Sequence, residues 1–285
     1  MIDILLDTII DVLKLVPFLY ITYLIMEYIE NKTSEHAKQT IKKSGKWGPL
    51  IGGIVGIIPQ CGFSASATNL YATRVISLGT LIAVYLSTSD EMLPIFLSEQ
   101  VEFSIIMKIL GIKLVIAIIA GFIIDLVIRL SSKGKDEEEK IIDLCEHDKC
   151  HCHEEGIFKS SLKHTLNILV YIFIVTLLIN IIVEFVGQDN IANFIGNNTV
   201  LGPVVSSLVG LIPNCAASVI ITNLYIQNVI NVASLIAGLL TGAGVGLIIL
   251  FRTNKNVKQN IGIMALIYGI GVFSGIVLQL INVNI

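Results

Sequence analysis

Two short strings hold the residues best suited to chemistry. Pro59-Gln60-Cys61-Gly62-Phe63-Ser64 and Pro213-Asn214-Cys215-Ala216-Ala217-Ser218 each set a carboxamide, a thiol and a hydroxyl just after a helix-breaking proline. Thr68 and Asn69 follow the first string, and Thr222 and Asn223 follow the second. Thr68 lies one helical turn after Ser64, on the same face. Two thiols with amide and hydroxyl oxygens around them suit a thiophilic metal ion or a trivalent metalloid, because thiolate is a soft ligand. The plainer alternative makes Cys61 and Cys215 small buried hydrophobes, and the Asn and Thr pairs glue between helices.

A second group is acidic. Asp90 and Glu91 interrupt the apolar run LIAVYLSTSDEMLPIFL, and Lys113 follows at similar depth in the next apolar segment. A carboxylate inside a bilayer costs at least about 2.5 kcal/mol on insertion scales and usually lines a pathway. Cation binding or proton coupling is the role expected for Asp90 and Glu91. A structural ion pair with Asp90 is the simpler role for Lys113.

A third group is hydrophilic. Cys145, His147, Cys150, His151, Cys152 and His153 crowd into SSKGKDEEEKIIDLCEHDKCHCHEEG. Such density points to a metal such as Zn²⁺ or Cu⁺. The spacing is not that of a folded zinc finger, so a loose, exchanging site is expected.

The elements that must position these groups come from a duplication. The stretch from Gly48 to Leu86 aligns with that from Gly202 to Leu240 at a constant offset of 154 and without a gap. Pro, Cys, Ser and the string Thr-Asn-Leu-Tyr fall in one register, which chance matching of Leu and Ile does not produce. Each copy offers an apolar helix (Thr8–Glu30 and Leu162–Glu184). Two short arms follow (Pro49–Ile58 with Gly62–Thr73, and Pro203–Ile212 with Ala216–Gln227). Two longer helices complete each copy (Ile76–Leu97 with Phe103–Arg129, and Ile230–Leu250 with Val257–Asn282). An arm of ten to twelve residues spans about 15–18 Å, half of a hydrocarbon core of about 30 Å. Each pair of arms therefore reads as a re-entrant hairpin with its tip near the midplane, where unwound backbone is tolerated only beside protein or a cavity.

Composition supplies the solvent. The chain has 285 residues, 54% hydrophobic and only 14% charged, against about 25% charged in soluble domains. From Thr165 to Phe251 there is no Lys or Arg. The net charge of −3 and the lack of a basic face speak against nucleic acid. No cleaved signal peptide is expected at the acidic N-terminus, and the five cysteines do not read as a disulfide scaffold. Lys and Arg cluster after the first helix, around the central loop and at Arg252–Lys258. The positive-inside rule puts all three clusters in the cytoplasm. Hairpins satisfy that requirement, with both termini outside. The expected fold is an all-α polytopic membrane protein of two inverted-topology repeats. Each repeat has three spanning helices and one re-entrant helical hairpin, which gives ten helical segments. Residues 1–130 form the first repeat, 131–161 a cytoplasmic Cys/His-rich linker and 162–285 the second repeat.

The strings IIPQCGFSASATNLYATRVISLGTLIAVYLSTSDEMLP, LIPNCAASVIITNLY and CEHDKCHCHE resemble the ten-helix heavy-metal exporters, a family called arsenic-efflux-permease-like. The resemblance runs over nearly the whole chain. It implies a multi-pass protein of a bacterial or archaeal inner membrane that exports a heavy metal or metalloid, with manganese and arsenic as suggested cargo. Alternating access through the hairpin tips is the corresponding mechanism. The alternatives are a permease for an organic or anionic solute, organoarsenicals included, and a membrane metal sensor. Enzymatic function is disfavoured, because no Cys/His or Ser/His pairing lies within the spans. No cofactor is required, and metal enters as cargo or as a ligand of the loop. Partners are the bilayer and the metal or metalloid substrate. A homo-oligomer is compatible with the sequence but not implied by it.

Overall fold

The computed structural model describes residues 45–58, 61–89, 91–131, 157–186 and 201–281, and the positions between 5 and 24 other than 7, 11, 14, 18 and 22. Among these residues the secondary structure is helical throughout. The described N-terminal positions from 5 to 24 are helical. The helices that follow are α1 (Gly48–Gly56), α2 (Cys61–Ala72), α3 (Leu78–Ser87), α4 (Met92–Ser98) and α5 (Phe103–Ser131). After the central segment come α6 (Ile157–Val186), α7 (Gly202–Gly210), α8 (Cys215–Ile226), α9 (Val232–Thr241), α10 (Val245–Thr253) and α11 (Val257–Leu280). Helix α6 starts ahead of the expected Leu162, so the expected 131–161 linker gives up its last residues to that helix.

Among the described residues, five stretches are long and apolar enough to cross a membrane: Leu78–Ser98, Phe103–Ser131, Ser161–Leu178, Val232–Thr253 and Val257–Leu280. Their burial differs sharply. Val232–Thr253 is 89% buried and Leu78–Ser98 71%, whereas Phe103–Ser131 is only 17% buried. Apolar side chains exposed on α5, α6 and α11, such as Ile119, Ile123, Val170, Ile174 and Phe273, then face lipid. The chain is a polytopic membrane protein with two central spans and an outer ring.

The central spans correct one expectation. Ile76–Leu97 and Ile230–Leu250 are not continuous helices. The first breaks between Ser87 and Met92, the second between Thr241 and Val245. Gly244 in the second break has φ 53°, a left-handed backbone that favours glycine. Hydrophobicity alone could not show this, because both halves of each span are apolar on every face.

Local rules recur at matching places. Helices α1, α2 and α3 begin at positions whose counterparts begin α7, α8 and α9. Pro stands in the first turn of both α1 and α7. The Ser77 hydroxyl accepts from Thr80 N and the Asn231 carboxamide from Ser234 N, which caps α3 and α9. The turns before those caps hold Arg74 at φ 62° and Asn228 at φ 58°. For Arg74 that conformation costs roughly 1–2 kcal/mol, whereas Asn adopts it more readily, and both halves make the same turn at the same place.

Glycine sets how closely the arms approach the spans. A Cβ on Gly56 would lie 2.0 Å from Ser87 Oγ, and one on Gly210 2.1 Å from Gly238 O. Gly48 at the other end of α1 abuts Thr80, and Gly202 abuts Ser234. Helix α1 therefore runs alongside α3 in the same direction and ends beside the break. Helix α2 returns, since Ala72 is separated from Leu78 by one short turn and Thr68 bonds Tyr85. Both outer ends of the arm pair thus lie at the same end of the span. The second arm pair repeats this against α9.

Candidate functional site

The change of direction between the arms places each second arm's first residue at the turn. Those residues are Cys61 and Cys215, which sit at the starts of α2 and α8 rather than in unwound loop. Their sulfurs are 3.6 Å apart and belong to half-buried cysteines that are not joined in a disulfide. That is thiol contact, well short of a covalent bond of about 2.05 Å. One soft ion or one arsenic-like centre could take both sulfurs as ligands.

The neighbouring hydroxyls are directed inward to backbone. Ser64 Oγ donates to Cys61 O and Ser218 Oγ to Cys215 O, each at 2.8 Å. Thr68 Oγ1 donates to Ser64 O and Thr222 Oγ1 to Ser218 O, each at 2.7 Å. Such back-bonding occupies the hydroxyl proton and leaves only lone pairs for a ligand. Thr68 also meets Tyr85 Oη, which donates to Gly246 O at 3.1 Å. This buried cluster fastens the first hairpin to the second half's span.

The remaining pairs differ in surroundings. Asn214 is the N-cap of α8, and its Oδ1 accepts from Ala216 N at 3.5 Å. Its Nδ2 donates to Asn180 Oδ1, and Asn180 Nδ2 donates to Thr8 Oγ1 at 2.8 Å. Asn69 is buried at 2% exposure, and its Nδ2 has no hydrogen-bond partner among the described residues. Its counterpart Asn223 is exposed. Gln60, Asp90 and the loop residues Cys145, His147, Cys150, His151, Cys152 and His153 lie outside the described residues. Glu91 is half-buried and precedes α4 without a side-chain capping bond. Among the described residues no group of three or more His, Cys, Asp or Glu gathers in a metal-holding arrangement.

Lys113, expected to pair with Asp90, is fully buried, and its Nζ donates to Thr88 O and, at 3.1 Å, to Ser89 Oγ in the first break. A cavity joins Thr88 and Ser89 with Gly242 and Gly244 of the second break and with Asn214, Cys215 and Ser218 of the second tip. The signal available for the breaks was Ser-Thr-Ser-Asp against Thr-Gly-Ala-Gly at the repeat offset. Asn180 carried no repeat signal, since Met26 stands at its counterpart.

A family described as "Putative, 10TM heavy-metal exporter" matches residues 1–185 and 153–284. The chain belongs to that family. Neither a curated protein nor a solved structure matches it. As a member of this exporter family it is a multi-pass transmembrane protein for which a metal substrate is implied and catalysis is not.

Proposed function

We propose that this exporter-family member carries a thiophilic heavy-metal ion or metalloid out of the cell by alternating access. Cys61 and Cys215 are its central ligands, with lone pairs of Ser64, Ser218 and the Asn214 carboxamide nearby. The observation that carries the reading is the 3.6 Å approach of two sulfurs that lie 154 residues apart in the chain. Two thiols favour a soft centre over manganese, which prefers oxygen ligands.

The halves are inverted repeats of opposite orientation, and each pair of arms is a re-entrant hairpin. Two contacts support this. Gln259 Nε2 donates to Tyr71 Oη at 2.7 Å, which brings the end of the first hairpin to the end of the second central span. Phe96 meets Tyr225 with ring centroids 5.9 Å apart, which brings the end of the second hairpin to the end of the first central span. Charge supports the orientation. Arg74, Arg129, Arg252, Lys255 and Lys258 fall at the end where α3 begins, while Glu99, Glu102 and Lys108 fall near the other. By the positive-inside rule the first end is cytoplasmic and both termini are outside. Residues 1–130 and 162–285 then act as the two moving units, and the loop of 131–161 lies in the cytoplasm. Its Cys145–His153 cluster raises local metal supply, and Asp90 and Glu91 serve cation binding or coupling at the first break.

The test is metal efflux from cells expressing a Cys61→Ser, Cys215→Ser double variant. At equal membrane abundance the rate should fall at least about tenfold, which corresponds to some 1.4 kcal/mol of lost ligand interaction. Full-rate export by the double variant would remove the thiols from the path.

A further inference from the structure

We propose that the break at Gly242–Gly244 binds a monovalent alkali cation, and that Lys113 is the covalent stand-in for such a cation in the first half. Matching places in the two halves are filled differently. In the first break, Ser89 Oγ donates to Ser87 O at 3.1 Å, and the Lys113 ammonium caps Thr88 O. The carbonyls freed where the helix stops are thus satisfied by the chain's own hydroxyl and ammonium.

The second break has neither group. Ala243 stands at the place of Ser89, Gly242 at that of Thr88, and Ile267 at that of Lys113. Gly275 abuts Ala237 and Gly271 abuts Thr241, so Ile267, one turn further along α11, arrives beside the break. Ala243 N turns to Thr241 O at 2.8 Å and leaves Leu239 O outside the helical ladder. Among the described residues no donor reaches Gly242 O. A methyl group on Gly242 would lie 3.6, 3.7 and 4.0 Å from the carbonyl oxygens of Leu239, Gly238 and Gly210. Gly238 O also accepts from Thr241 Oγ1 at 2.9 Å and offers its second lone pair, and the residues of the arc line the cavity that also reaches Asn214 and Ser218.

Uncharged oxygen donors at the C-terminal end of a half-helix favour a cation, through the helix dipole and the freed carbonyls. Without a carboxylate in the arc, the charge it balances best is single. Cys215 lines the same cavity, so an ion at the arc sits against the second hairpin tip. Its entry or exit would bias the position of that tip, which is how a coupling ion acts. As a coupling site the arc rests on the transport reading; as a binding site it does not.

The experiment is thermal unfolding of the purified full chain in detergent, without substrate. Na⁺, Li⁺ and K⁺ are each compared with N-methylglucamine at constant ionic strength. One alkali cation should raise the midpoint saturably, by about 5 °C or more at a hundredfold above half-saturation. Gly242→Ala fills the arc at ordinary contact distances and should fold but lose that response. Ile267→Lys should lose it too, because its ammonium occupies the site. If Ile267→Lys is not recovered from membranes, Gly242→Ala decides alone. No alkali cation exceeding N-methylglucamine, or an unchanged response in Gly242→Ala, overturns the proposal. The Cys61→Ser, Cys215→Ser double variant separates the two claims. A retained cation response without metal efflux leaves the arc standing beside lost thiol ligands, whereas efflux at full rate with a retained response removes the thiols alone.

Discussion

At the scale of single residues, the sulfur pair makes the sharpest claim. Closing 3.6 Å to a disulfide needs only a small movement of two tips. A protease site inserted in the 131–161 segment should allow this to be read on a gel. After mild oxidation and cleavage the halves should stay joined until reductant is added, and Cys61→Ser should release them. Lys113 makes a second claim. Lys113→Met removes a buried donor from Thr88 O, which typically costs about 1–3 kcal/mol. The thermal midpoint of the detergent-purified variant should fall accordingly, and an unchanged midpoint would show that the break holds itself. The thiol pair was legible from sequence because proline, cysteine and the Thr-Asn-Leu-Tyr string repeat in one register. Asn180 was not legible, because a lone carboxamide in an apolar helix looks the same whether it glues helices or meets a hairpin tip.

At the scale of elements, glycine contacts separate packing from helix propensity. Gly56 presses its backbone against Ser87 and Val84, so Gly56→Ala forces the arm away from the span. Overpacking of that kind costs typically about 1–3 kcal/mol. A methyl added to Gly111 in α5 would meet nothing within 4 Å, so Gly111→Ala should be neutral or stabilise by up to about 1 kcal/mol. The two variants should move the unfolding midpoint in opposite directions, or one alone downward. Equal gains would mean that helix propensity, not arm-to-span contact, decides both. The arms themselves were readable from Gly-Pro starts and early prolines. The breaks in the central spans were not, because glycine, serine and threonine are common in transmembrane helices. Periodicity carries no information in a helix buried on all sides.

At the scale of the molecule, the two central spans and the outer ring follow from which helices are buried and which face lipid. The offset of 154 aligns both halves without using the Cys145–His153 loop. Replacing its three cysteines by serine should therefore weaken apparent metal affinity in efflux assays and leave the maximal rate largely intact. Loss of efflux at every metal concentration, with protein still in the membrane, would put the loop in the path itself. That variant also leaves Cys61 and Cys215 as the only thiols of the chain. It permits the most direct measurement of the central claim: titration of the purified protein with Cd²⁺, followed by thiolate–metal charge-transfer absorption and alkylation of the two cysteines. A shared thiol site predicts saturation at one metal per chain with both thiols protected together, and loss of the absorption on a further Cys61→Ser change. Alkylation of both thiols at the same rate with and without metal would contradict it.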